Sequence, residues 1–419
     1  MTEPSELSKQ RSSGAAIRGP LAGVKVIDLG IHRAGPHCAL ILARLGADVI
    51  KVEPVGGEEM RHHGPQWAQE NNSKRSLAID VRQPQGQTVV RELAKRSDVL
   101  VQNFRPGVMR KLNLDLDELR QLNPRLICAS VSGYGSSGSR RDLPGFDGIM
   151  QAACGLMLLN GTDQMPPLKV RPPIVDRMAG LHAAVGVLGA LYQRSITGVG
   201  QTIDVSLCHS AYTIGDAEMA GALVSGVEPR RVGNRAAGPP VNNVFQAKDG
   251  WLYVATGGRE RMWQAICHMI GRTEWLDDPR FQTKEGRSTH SAVIEAGLAA
   301  FFSDLSADAA VAACATRRIP AARVNSVLEA GRSDYVRERD ILRTVGNVTA
   351  DLSVISAATM GNPAWDVRYA SVADADTAAS TFAPMSSTPC LARIPRASSC
   401  MAALSAVCPP RVARTASTG

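Results

Sequence analysis

Short apolar runs alternate with helical spacings along the first half of the chain. Val24-Lys25-Val26-Ile27-Asp28-Leu29 reads as a strand closed by Gly30. Beyond Gly35-Pro36, residues Ala39, Leu42, Ala43 and Leu45 fall at helical spacing, and Gly46 ends that helix. Residues 47–53 then read as a second strand, which makes a parallel, right-handed βαβ unit of about 30 residues. Further strands are predicted at 77–80, 98–103 and 126–131, with helices over 84–96 and 115–123 between them. This alternation predicts an α/β class, a doubly wound Rossmann-like sheet covered on both faces. A dense helical pattern follows over 174–194, carried by Met178, Leu181, Val185, Leu188 and Leu191. A strand at 201–206 and a helix from Cys208 complete the series.

The pattern changes after residue 225. Residues 226–243 are rich in Gly, Pro and Asn and read as a linker. A smaller α+β unit runs from Phe245 to about residue 325, opened by a hairpin whose turn is Lys248-Asp249-Gly250. Helices are predicted at 259–271 and 291–304. The expected organisation is a polar arm at 1–19, a large domain at 20–225, linker and small domain at 226–330, and a return at 331–365. Residues 366–419 form an atypical tail: 31 of those 54 are Ala, Ser, Thr or Pro, and no periodicity persists.

Composition narrows the function. The 419 residues carry a formal charge of +8, yet aromatic content is 4% and no Lys/Arg run exceeds two. Nucleic-acid binders concentrate basic charge and interleave aromatics, so diffuse surface charge and a small anionic ligand fit better. No 18 consecutive residues are apolar, which argues against a membrane span. The first twenty residues lack an apolar core, so no secretory signal is expected. The nine cysteines form no C-x-x-C pair, and His62-His63 has no metal-ligand spacing, so neither a metal site nor a disulfide framework is expected. A reducing cytoplasm is the expected compartment.

The turn after the first strand, Gly30-Ile31-His32-Arg33-Ala34-Gly35, is not G-x-G-x-x-G. Glu53 ends the second strand where a ribose-binding acid often sits, but without the glycines a dinucleotide site is not supported. Two carboxylates stand out at predicted helix starts. Asp176 precedes an apolar helix, and Asp147 follows Pro144-Gly145-Phe146. Each is read equally well as a plain helix cap.

Ten segments in order carry a resemblance. Among them are LAGVKVIDLGIHRAGPHCALILARLGADVIKVEPVGGEEMR, NNSKRSLAIDV, VLVQNFRPGVMRKLNL, LICASVSGYGSSG, PGFDGIMQA, VDRMAGLHAAVGVLGALYQR and TGVGQTIDVSL. Over roughly residues 20–345 the chain resembles the class III CoA-transferases, the CaiB/BaiF group that includes formyl-CoA and carnitine CoA-transferases. The resemblance implies a Rossmann-like large domain joined to a small one, two chains interlocked as a homodimer, and transfer of coenzyme A between an acyl-CoA and a carboxylic acid. It implies no cofactor beyond the CoA thioester and no nucleic-acid or membrane partner.

By the same resemblance Asp176 is the nucleophile and Asp147 an assisting acid. Asn72, Lys74, Arg75, Asn103, Phe104 and Lys111 match the CoA groove, and His32, Arg33, Ala34 and Phe146 the acyl side. The helix start is expected to keep Asp176 ionised, its N–H groups to hold an oxyanion, and Ala179 and Gly180 to leave room for the thioester. Arg33, Arg171 and Arg177 suggest a dicarboxylic acid. Arg105 and Arg110 read as surface residues. Relatives that racemise 2-methylacyl-CoA place a His at the position of Phe146. Phe carries no proton, so racemisation is disfavoured; a non-catalytic CoA-binding protein is the other alternative. The stretch 233–240 is short and glycine-poor beside the lid of formyl-CoA transferase, which argues against formyl or oxalyl substrates. The family's C-terminal motif is missing. One back-translation of 383–391, read in another frame, gives Ala-Asp-Val-Val-Asp-Ala-Val-Leu, so a frameshift upstream is expected.

Overall fold

The computed structural model describes residues 19–235, 241–256, 258–345 and 348–351. The arm at 1–18, positions 236–240 of the 233–240 stretch, and the tail with its expected frameshift lie outside the described residues.

Two compact units divide the chain. The first contains the described residues up to Cys154, then Arg171–Asp216, then those from Arg337. The second contains Gly155–Val170 and Ala217–Val336. A linear split after residue 225 thus places 155–170 in the larger unit, whereas the chain enters the smaller unit twice. The later crossing falls at Asp216, where a helix over Leu207–Ser225 is broken by a left-handed backbone at φ 45°.

The first unit is built on six parallel strands: β1 (Lys25–Asp28), β2 (Asp48–Glu53), β3 (Arg75–Ala78), β4 (Val99–Gln102), β5 (Ile127–Ser132) and β6 (Thr202–Ser206). Their order in the sheet is β3-β2-β1-β4-β5-β6. The central strands are buried on both faces, as their continuous Val, Ile and Leu runs require. The order reverses between β1 and β4, which opens a crevice at their C-terminal ends. Asn103, just past β4, clasps the turn after β1 there: its Oδ1 accepts from the Ile31 N–H at 2.7 Å, and its Nδ2 donates to the Ile31 carbonyl at 2.8 Å.

Three helices frame that crevice: α1 (Ala34–Arg44), α2 (Pro65–Asn71) and α7 (Ile174–Thr197), the last numbered after four others along the chain, at Pro84–Lys95, Val108–Lys111, Leu116–Leu122 and Asp147–Ala153 (α3 to α6). A Cβ at Gly180 would stand 2.8 Å from the Ala34 carbonyl oxygen and 2.9 Å from His37 Cβ. Only glycine lets α7 lie this close to α1, and the first turn of α7 is thereby brought beside the turn at 31–34. The room at Gly180 is therefore filled by α1 and is not left for a thioester; Ala179 is likewise fully buried.

α7 is long and apolar enough to cross a membrane by length and composition, with mean hydropathy 1.4 over 18 residues. The helix carries Asp176, Arg177, His182 and Arg194, and it packs against α1, β5 and β6 as a core helix.

The second unit is opened by the antiparallel hairpin β7 (Asn242–Ala247) and β8 (Gly250–Ala255), with Ala321–Arg323 as a third strand. Its core is aromatic: Trp263 stacks on Trp275 with centroids 6.1 Å apart, and Phe281 packs against both.

Candidate active site

Asp176 lies in the first turn of α7, two residues after its start at Ile174. It does not cap the helix. That task falls to Asp147, the first residue of α6, whose Oδ2 accepts from the N–H groups of Val175 at 2.8 Å and Asp176 at 3.2 Å. Gln151, one turn along α6, donates to Asp147 Oδ1 at 2.6 Å. The Ile174 N–H bonds the Pro172 carbonyl and the Arg177 N–H that of Pro173. All four N–H groups at the start of α7 therefore have acceptors, and the expected oxyanion donors are already occupied.

The Asp176 carboxyl is pushed up to about 7, first by burial and then by the charge of Asp147; Arg33 pulls it down and Glu70 pushes it up. The helix start does not keep it ionised, contrary to expectation: the N–H dipoles that favour a carboxylate are spent on Asp147. At neutral pH Asp176 is thus poised between its two protonation states.

Glu70 is the organising residue that sequence reading missed. Its side chain is 1% exposed, on the last turn of α2. His37 Nδ1 lies 2.9 Å from Oε2. Arg177 Nη2 donates to Oε1 at 2.8 Å, and Arg33 Nη1 lies 3.8 Å from the same oxygen. Arg33 is also held by Gln66, through Nη2 to Oε1 at 2.7 Å. Burial pushes the Glu70 carboxyl up, but the hydrogen bond and charge of His37, then Arg177, outweigh it and hold it below its ordinary value. Residues from α1, α2 and α7, 33 and 107 positions apart, thus meet on one carboxylate.

The pattern of CoA-transferase family III matches residues 21–372. The chain belongs to that family. It is 33% identical over 319 residues to the succinyl-CoA–D-citramalate CoA-transferase of Chloroflexus aurantiacus, covering 74% of this chain and 79% of the relative. It is 31% identical over 337 residues to the succinate–glutarate CoA-transferase of Agrobacterium fabrum, covering 77% and 84%. A crystal structure of a CaiB/BaiF family protein from Brucella suis superimposes with TM-score 0.74 at 29% identity, covering 81% of this chain and 93% of the other. The chain is accordingly an enzyme of the CoA-transferase type, with the mixed α/β fold of its family.

Not every residue matched to the family's CoA groove is available to a ligand. The Lys74 side chain is buried, and its ammonium donates to Asp28 Oδ2 at 2.8 Å, the Pro36 carbonyl at 2.8 Å and Asn71 Oδ1 at 2.9 Å. An ammonium has three N–H donors, so none is left for a phosphate. Lys74 is a core residue here, not a CoA contact. Asn72 caps the end of α2, its amide nitrogen donating to the Ala68 and Gln69 carbonyls. Asn103 is committed to Ile31, and Phe104 packs on the apolar core under β4. Arg75, paired with Asp48, and Lys111 are exposed.

On the acyl side, Ala34 is buried at the start of α1, His32 is exposed with φ 58°, and its N–H donates to Glu58 Oε1 at 2.5 Å. Phe146 is 61% exposed. Glu53, the residue in the ribose-binding position, is filled by Arg61 at 2.6 and 2.7 Å and by Ser76 at 2.7 Å. That occupancy agrees with the absence of a dinucleotide fingerprint.

Proposed function

We propose that this family III enzyme transfers CoA between two carboxylic acids by double displacement at Asp176. The carboxylate attacks the donor thioester carbonyl; the C–S bond breaks, giving a mixed anhydride and CoA thiolate. The thiolate attacks the Asp176 acyl carbon, releasing the donor acid and leaving an aspartyl-CoA thioester. The acceptor carboxylate attacks that carbonyl and expels the thiolate. The thiolate then attacks the acceptor's acyl carbon, which restores Asp176. A carboxylate is a weak nucleophile in water, and a half-buried site that holds the thioester against it lowers that barrier. Asp147 positions the start of α7, and the cycle needs no cofactor other than the CoA thioester.

The observation that carries this reading is the half-buried Asp176 set against a second carboxylate, Asp147, at the start of α7 in a chain of this family. The acids we propose are dicarboxylic. The charge of Arg33 acts on Asp176, Arg33 and Arg177 share the buried Glu70, and relatives are named for succinate, citramalate and glutarate. We also propose a cytoplasmic homodimer. An exposed apolar stripe along α7 (Leu181, Val185, Tyr192, Ile196) suits a second copy, and the described cysteines are free thiols.

The test is transfer of CoA from succinyl-CoA to isotope-labelled acids, followed by chromatography. Formation of labelled acyl-CoA, lost in Asp176→Ala, supports the reading. Exchange of an α-proton with deuterated water and no transfer would point to the racemase, and CoA binding with neither reaction to a non-catalytic binder.

A further inference from the structure

Two guanidinium groups, one from Arg33 at the start of α1 and one from Arg177, the residue after Asp176, converge on one buried carboxylate that belongs to neither of their helices. Glu70 Oε1 accepts from Arg177 at 2.8 Å and faces Arg33 at 3.8 Å. A pair that served packing alone would bury both partners. Here the carboxylate is sealed, while the Arg33 and Arg177 side chains keep 21% and 29% of their surface open to solvent. Each guanidinium has five N–H donors, of which Glu70 and Gln66 engage a minority.

Charge changes during the proposed cycle give this arrangement a use. With Asp176 ionised, two guanidiniums stand against Glu70 and the charge of Arg33 also acts on Asp176, while Asp147 is matched by the N–H groups of α7. Once Asp176 is an aspartyl thioester its charge is gone, and the two guanidiniums are left with Glu70 alone. That surplus positive charge appears at the stage when an anionic acceptor must enter.

We propose that Glu70 is a positioning residue that holds Arg33 and Arg177 where the start of α1 meets the first turn of α7, so that their outward N–H groups take the distal carboxylate of a dicarboxylic acceptor. This rests on the CoA-transfer reading and assigns the substrate selectivity of that same site. Lysine would not serve equally, because a planar fork meets a carboxylate with two donors at once. His37 fixes the other Glu70 oxygen, so the carboxylate cannot rotate away from the arginines.

The experiment compares isotope-labelled succinate with isotope-labelled butyrate, acids of equal chain length that differ in the distal carboxylate, as acceptors from unlabelled succinyl-CoA, and reads the label entering acyl-CoA. Glu70→Gln is expected to raise KM for succinate by roughly tenfold or more, the scale of one lost charge-assisted hydrogen bond, and to leave KM for butyrate nearly unchanged. Gln66→Ala leaves the buried cluster intact and loosens only Arg33, so it raises KM for succinate by a smaller factor. Arg33→Gln does the same more strongly. A role confined to stability would move both acceptors together, along with the melting temperature. Equal changes for the two acids, or wild-type preference for butyrate, would overturn the proposal. If Glu70→Gln does not fold, unchanged discrimination in Gln66→Ala and Arg33→Gln overturns it. If the wild type transfers CoA and only the discrimination fails, the positioning role alone falls; if it transfers none, the functional reading falls and takes this with it.

Discussion

Two buried charge clusters lie within the first unit, one pairing carboxylates with lysines and the other with arginines and a histidine, with opposite electrostatic outcomes. Around Asp28, Lys74 sits at 2.8 Å and Lys51 at 4.0 Å, and Glu58 lies 2.9 Å from Lys51. Burial pushes the Asp28 carboxyl up, but the two ammonium groups outweigh it and hold it below its ordinary value. Around Asp176, burial and the like charge of Asp147 act together, and the carboxyl rises to about 7. The first cluster is balanced and closed. The second has a carboxylate in a costly state, half-buried at the mouth of a crevice. A fold tolerates such an imbalance where chemistry needs it, and the contrast is one ground on which we propose Asp176 as the reactive group.

Breaking the second cluster has its largest effect on activity. Asp176→Ala should lower CoA transfer by about 10³-fold or more, while CoA still binds by equilibrium titration. Stability should move the other way. The folded carboxyl titrates near 7, well above the unfolded value of 3.8, so its contribution is fully present below about pH 4 and is lost as pH rises through 7. At pH 8, Asp176→Asn should therefore be more stable than the wild type, by about 1–3 kcal/mol after allowing for partial exposure, as read from urea melts.

Breaking the first cluster should do the reverse. Lys74→Met leaves Asp28 short of its main partner and should cost about 3–5 kcal/mol of stability. Whatever fraction folds should keep its catalytic rate. Equal loss of activity per folded molecule in Lys74→Met and Asp176→Ala would erase the distinction between the clusters.

Asp147→Asn sharpens the comparison within the site. It removes the like charge but keeps an oxygen to accept the α7 N–H groups. The acid limb of kcat/KM, on which activity rises with pH as Asp176 ionises, should shift about one unit lower, with turnover slowed roughly tenfold. The smallest effect is expected at Arg75→Ala. Its pair with Asp48 is about half exposed on both sides, and its loss should change stability by less than about 1 kcal/mol.

The strands of the parallel sheet and α7 were legible because strand–helix alternation is local and strong. Motif context singled out Asp176 and Asp147, but the capping role at the start of α7 that was expected of Asp176 falls to Asp147. A sequence shows two carboxylates near helix starts without showing which one the N–H groups will choose. Lys74 was misplaced because a basic motif looks solvent-exposed, and nothing local reveals that Asp28, Pro36 and Asn71 close around its ammonium. Glu70, His37 and Gln66 were missed for a related reason. Their partners lie up to 107 residues away, and α2, at seven residues, is too short to show a face. Gly180 was noticed as small but assigned to the substrate, although the backbone of α1 fills its space.

The central claim is that Asp176 carries CoA, and trapping the intermediate tests it most directly. The protein is incubated with succinyl-CoA and no acceptor, treated with borohydride or hydroxylamine, digested, and the peptides weighed by mass spectrometry. The account predicts that the modified peptide is the one containing Asp176, with the aspartyl group reduced or converted to a hydroxamate, and that none forms in Asp176→Ala. An adduct on another residue, or full transfer activity with Asp176 replaced, would contradict it.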